Sequence, residues 1–162
     1  MCAKSLHKTI EKSYKRLGLD PGYDETNSTF SVRIPISGVG DVSQYIQRSI
    51  NKGMIRTYLP DIVVEERRQE INKAISDLNS RSTFGFYNMD NAGKVHYRFN
   101  FMTDSESMVS AKMVQEYILI GFEAIRYFHN NVYMGCHEAD SEPLVVENTK
   151  ENVIEYAPSM FN

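Results

Sequence analysis

Only two cysteines, Cys2 and Cys136, occur among the 162 residues, too few for the disulfide framework of a small extracellular domain. No apolar leader follows Met1, so the expected location is a reducing cytoplasm. Long apolar runs are missing as well. The most apolar stretch, near 117–128, is broken by Glu123 and Arg126, whereas a membrane span needs about 18 uninterrupted apolar residues. There is no basic surplus: the net charge is −3, which argues against a general nucleic-acid binder. Gly38-Val39-Gly40 lacks the glycine spacing and the lysine of a phosphate-cradling loop. No Gly-x-Ser-x-Gly elbow and no Cys-x-x-Cys pair is found. These absences point away from an enzyme and from any cofactor.

What is present has the balance of one globular domain, 41% hydrophobic and 24% charged, in a chain long enough to bury a core. The charge is unevenly spread. Lys4, Lys8, Lys12, Lys15 and Arg16 face Glu11 alone near the start, while Glu138, Asp140, Glu142, Glu147, Glu151 and Glu155 face only Lys150 near the end. The expected organisation is one α+β domain over residues 1–138, followed by an acidic tail or strap over 139–162. Leu144-Val145-Val146 and Val153-Ile154 are the apolar patches within that last stretch.

Residues 82–102 organise the rest. Two alternating runs flank Asp90-Asn91-Ala92-Gly93, the signature of a β-hairpin. On the second run Val95, Tyr97, Phe99 and Phe101 share one face, and His96, Arg98 and Asn100 share the other. Phe84 and Phe86 are expected to be buried with the first set. Helices must cover this apolar side. Leu6, Ile10, Tyr14 and Leu17 mark a helix over about 3–17, stopped by Gly18. Its basic side reads as a solvated face, and its apolar face is too narrow for membrane docking.

Phe30, Val32, Ile34 and Ile36 alternate through 29–36 as a strand whose Pro35 suits an edge or an end. Residues 42–50 fit both a helical stripe and a strand; a hairpin with strand 54–59 is preferred. Pro60-Asp61 is read as opening a middle helix, with Asp61 as N-cap and Val64, Ile71, Ile75 and Leu78 as its stripe. A long last helix is expected from about Met108, capped by Asp104 or Ser105. Its wide stripe comprises Val114, Tyr117, Ile118, Gly121, Phe122, Ile125, Phe128 and Val132. Gly121 costs about 1 kcal/mol relative to alanine inside a helix, which a close approach to the sheet would explain. Beside that stripe Met113, Ile120, Ala124 and Tyr127 form a second apolar row. This row is the candidate partner surface, for a homodimer or another protein.

Few residues invite chemistry. His129, Cys136, His137 and Glu138 carry zinc-ligand groups at a spacing that matches no zinc pattern, and they read better as the end of the last helix. His96, Arg98 and Asn100, with Tyr87 near them across the hairpin, read as the solvent face of the sheet. Met54, Met89, Met102, Met108 and Met113 suit core gaps or an adaptable binding surface.

The order helix, three strands, helix, two strands, long helix resembles the type III secretion chaperone-like fold, αβββαββα. Within it the chain is most similar to the YbjN-like bacterial proteins, described as sensory transduction regulators. Leu59-Pro60, Leu78-Asn79, Phe84-Gly85-Phe86, Asp90, Gly93, Lys94-Val95-His96-Tyr97-Arg98-Phe99 and the long helix carry the resemblance, over about residues 3–135. It implies a twisted antiparallel sheet with the first and last helices on one face. It also implies a non-enzymatic, protein-binding adaptor, chaperone-like or regulatory role in the bacterial cytoplasm. The alternative is a small-molecule-sensing domain with a pocket between sheet and helices.

Overall fold

The alternating segments pair into one antiparallel sheet, and the helical stripes lie across one of its faces. The computed structural model describes residues 3–49, 52–102, 109–135, 144–146 and 154–156. In chain order the elements are α1 Ala3–Arg16, β1 Gly22–Asp24, β2 Thr29–Ile36, β3 Gly40–Arg48, β4 Lys52–Ile62, α2 Arg68–Arg81, β5 Phe86–Met89, β6 Lys94–Met102, α3 Ala111–Phe128, β7 Leu144–Val146 and β8 Ile154–Tyr156. The sheet runs β5-β6-β4-β3-β2-β7-β8, with β1 also on β2. Of residues 42–50, which fitted two patterns, 42–48 belong to a strand, and Ser43–Arg48 pair with Gly53–Tyr58; Ile50 lies outside the described residues.

Register sets the core. Phe30, Ile46, Ile55 and Phe99 lie opposite one another along one row. Val32, Gln44, Thr57, Tyr97 and Tyr87 form the next, and all nine side chains are buried. α1 and α3 pack on each other and on this face, α1 through Tyr14 against Gln44 and His7 against Phe30. Both rows therefore face helices, as the alternation required.

Within the apolar layer sits one closed polar network. The Tyr14 hydroxyl of α1 donates to Gln44 Oε1 at 3.0 Å, and Gln44 Nε2 donates to Thr57 Oγ1 at 2.9 Å and to the Ile118 carbonyl at 3.0 Å. It ties α1, β3, β4 and α3 together, and buried polar groups satisfied in this way specify one packing rather than weakening it. Gly121 lies directly above. A Cβ there would collide with Thr57 Oγ1 and come within 2.7 Å of Gln44 Nε2, so the close approach expected of this glycine is found. Ile118 to Ile125 of α3 are all buried, Glu123 included, as in a helix enclosed on every side. Glu123 accepts two hydrogen bonds from Arg126, at 3.0 and 3.1 Å.

Four expectations are corrected. The order is not αβββαββα: four strands, β1–β4, precede the middle helix, and β7 and β8 follow the last one. The middle helix does not open at Pro60-Asp61. β4 continues through both residues to Ile62, its register with β6 shifting between Tyr58 and Ile62. Proline, which has no N–H for a ladder, fits at such an irregularity. A 3-10 turn, Glu65–Arg67, precedes α2, and Val64 is exposed while Ile71 and Ile75 are buried. The cap of α3 is Ser110, whose Oγ accepts from Met113 N; Asp104, Ser105 and Met108 lie outside the described residues. Phe84 and Phe86 are 57% and 40% exposed. Asp90 fixes the hairpin turn by accepting from the N–H groups of Ala92 and Lys94, both at 2.9 Å, with Gly93 at φ +84. That register sets Phe86 opposite Arg98 and Tyr87 opposite Tyr97. A shift of one residue exchanges the faces, so Tyr87 takes the core position and donates to the Ala124 carbonyl at 2.9 Å.

β7 and β8 extend the sheet past β2, Val146 lying opposite Ile36. The remaining residues of the acidic stretch lie outside the described ones. At the other edge, Asn79 of α2 donates to the Tyr87 carbonyl at 2.9 Å and accepts from the Tyr87 N–H at 2.8 Å. The edge of β5 is thus occupied where another strand would pair.

Candidate functional site

No helix among the described residues packs on the second face of the sheet, and this face carries both rings and cations. Alternation puts Tyr45 and Gln47 of β3, Met54, Arg56 and Tyr58 of β4, and His96, Arg98 and Asn100 of β6 on it. One row across the strands reads Phe86, Arg98, Arg56, Tyr45, Ser31. The neighbouring row reads Asn88, His96, Tyr58, Ser43, Arg33. Two arginines therefore sit directly opposite each other in the centre.

The rings form a continuous surface. Tyr45 meets Tyr58 edge-on at 5.6 Å between centroids, and Tyr58 meets His96 at 5.0 Å. Lys94 Nζ lies 5.0 Å from the Tyr58 centroid, and the Arg98 guanidinium 5.5 Å from that of Phe86, within reach of a cation–π attraction. Two grooves open here. One of about 520 Å³ is lined by Asp24, Asn27, Tyr45, Arg56 and Tyr58 among others. The other, of about 430 Å³, is lined by Arg48, Lys52, Arg98, Asn100 and Met102 among others. Gln47 and Met54 border both, so the two make one trough.

Electrostatically the centre is positive and unbalanced. Arg33 pairs with Asp41 at 3.1 Å, but that pair lies toward the β2 side. Burial, then the charge of Arg56 and to a lesser degree Arg98, push the His96 imidazole below its ordinary 6.5, with Asp90 opposing. On this face the Nε atom of Arg98 and Nδ1 of His96 are buried without a hydrogen-bond partner; the Nε of Arg48 is unpartnered too, but on the inward side, where Arg48 lies opposite Gly53 and in the row of Phe101. Arg48 is anchored through its other nitrogen, which donates to the Tyr23 hydroxyl at 2.8 Å. Unsatisfied buried donors are uncommon in native folds and call for an explanation.

His96, Arg98 and Asn100 thus share one face, as their spacing indicated, but Tyr87 does not join them. The row Met113, Ile120, Ala124 and Tyr127 is divided. Ile120 and Ala124 are buried, Met113 is 42% exposed and Tyr127 is half-buried. The Tyr87 hydroxyl bonds the Ala124 carbonyl, so the two middle members of the row are turned inward. His129 is buried at the end of α3, its Nδ1 3.0 Å from Asn130 Oδ1, while Cys136, His137 and Glu138 lie outside the described residues. No group of three metal-ligating side chains occurs among the described residues. Of the methionines, Met54 and Met102 border the trough and Met89 packs on the core.

Sequence reasoning did not select Arg56, Tyr45 or Tyr58. Their alternation with Ile46, Ile55, Thr57 and Leu59 was the available signal. No helix among the described residues is long and apolar enough to cross a membrane. The sequence matches no family model, and no curated protein matches it.

Proposed function

We propose that this chain is a non-enzymatic protein-binding domain, an adaptor or regulator of the bacterial cytoplasm with the type III secretion chaperone-like, YbjN-like architecture. The partner surface is the open face of the sheet rather than α3. One observation carries this reading: Arg56 and Arg98 face each other among exposed rings, on the side of the sheet that the helices leave uncovered. Like charges directly opposed on neighbouring strands are destabilising, and aromatic residues with arginine are the usual anchors of protein interfaces. The two grooves lie on this open face, which favours a partner chain over an enclosed small ligand.

Photo-crosslinking in the native cell tests it. A benzoylphenylalanine placed at Tyr45 is expected to trap a discrete protein partner, and one placed at Met113 is not. Trapping from Met113 alone would return the partner surface to α3. Light scattering after size exclusion tests the homodimer, which this reading does not require.

A further inference from the structure

The open face also indicates the chemistry of its occupant; this step rests on that face being the partner surface. Around the Arg56–Arg98 pair, the register neighbours are Phe86 and Tyr45 in the same row, His96 and Tyr58 on one side, and Asn100 and Met54 on the other. None is acidic. Neither arginine has an ion-pair partner among the described residues. The guanidinium of Arg98 lies against the Phe86 ring with Nε withdrawn from water. A ring-backed guanidinium presents its planar fork with little freedom left to lose, and that fork matches a carboxylate with two parallel hydrogen bonds.

The positive zone is small. Asp24 lines the trough at the β1 side, Asp41 stands at the β3 end beside Arg33, and Asp90 is close enough to act on His96. A nucleic-acid strand running over the face would carry its phosphates onto these carboxylates, and the whole chain is itself negative. A segment with one or two carboxylates would meet only the centre. Tyr45, Phe86 and Met102 are large apolar side chains left exposed around it, suited to apolar residues beside those carboxylates.

We propose that Arg56 and Arg98 together form an oxyanion site that takes an acidic peptide segment of a partner protein, an aspartate or glutamate flanked by apolar side chains. Removing either arginine weakens binding and does not weaken the fold, because it relieves an opposed pair of like charges.

The test is fluorescence anisotropy with the full chain and a labelled octapeptide alternating glutamate with phenylalanine. Its glutamine counterpart and a twelve-residue oligothymidylate are run in parallel. Binding of the glutamate peptide is expected to weaken with salt and to fall roughly tenfold or more in Arg56→Gln and in Arg98→Gln. Arg33→Gln, which removes a cation already paired on the same face, is expected to leave it unchanged. Arg56→Lys keeps the charge without the fork and is expected to fall between. Melting temperatures of the arginine variants are expected to equal or exceed that of the parent. No measurable binding of the glutamate peptide, equal binding of the glutamine peptide, or indifference to both arginines would overturn the site. Tighter, arginine-dependent binding of the oligothymidylate would overturn the peptide as occupant. A failure here with Tyr45 crosslinking intact would reject the acidic segment and leave the partner surface standing.

Discussion

The two faces of β6 are built from the same backbone and obey different rules. Inward, Val95, Tyr97, Phe99 and Phe101 are buried among other rings and aliphatic side chains. In the middle of that side the polar group of Gln44 is satisfied by Tyr14, Thr57 and the Ile118 carbonyl; at its end Arg48 donates to the Tyr23 hydroxyl and keeps an unpartnered Nε. Outward, Arg98 faces another arginine and keeps an unpartnered Nε, and His96 keeps an unpartnered Nδ1. The middle of the inward face is what stability alone would select. The outward one keeps groups whose interactions within the chain are incomplete, which is how a surface shaped for a ligand differs from one shaped by packing.

Substitutions should separate the faces by size of effect. Phe122, fully buried in α3, should cost about 3–5 kcal/mol as Phe122→Ala in chemical denaturation. Gly121→Val should cost about 1–3 kcal/mol by overpacking, and more if Gln44 is pushed off its partners. Tyr14→Phe should cost about 1–3 kcal/mol, since it strands Gln44 Oε1 in the core. Across the sheet, Phe86→Ala should cost less than about 1 kcal/mol, as expected for a surface position. A loss there equal to that of Phe122→Ala would mean that the two faces are not distinct.

A pH series gives the smallest effect. His96 is depressed below 6.5 in the folded chain by burial and Arg56, so the unfolded chain takes up the proton first as pH falls. Its contribution is fully present above pH 6.5 and is lost as pH falls from there through the lower folded value. His96→Gln should remove that part of the acid-side slope, read as denaturation midpoints at pH 7.5 and 5. An unchanged slope would place the imidazole in water.

The fold was largely readable because its signals are local. Phe30 to Ile36 and Val95 to Phe101 alternate without interruption, and the stripe of α3 repeats over several turns. The misreadings came where tertiary structure overruled a local cue. Pro60 marks an irregularity within a strand rather than a helix start, and Phe86 lost its core position to Tyr87 because the Asp90 turn sets the register. The site was only half legible. His96 and Arg98 were visible on one face from their own strand, but Arg56, Tyr45 and Tyr58 join them only through the pairing of β4 with β3 and β6. The row on α3 is divided by burial, Ile120 and Ala124 enclosed and Met113 exposed, which a helical wheel alone does not show.

One titration compares the faces directly: a ¹⁵N–¹H spectrum that resolves the Arg98 Nε–Hε signal and the Gln44 side-chain amide, recorded as the glutamate–phenylalanine octapeptide is added. The account predicts that the Arg98 signal shifts saturably while the Gln44 signals stay in place. A stationary Arg98 signal, or movement of Gln44 without it, would contradict the assignment of the open face as the binding surface.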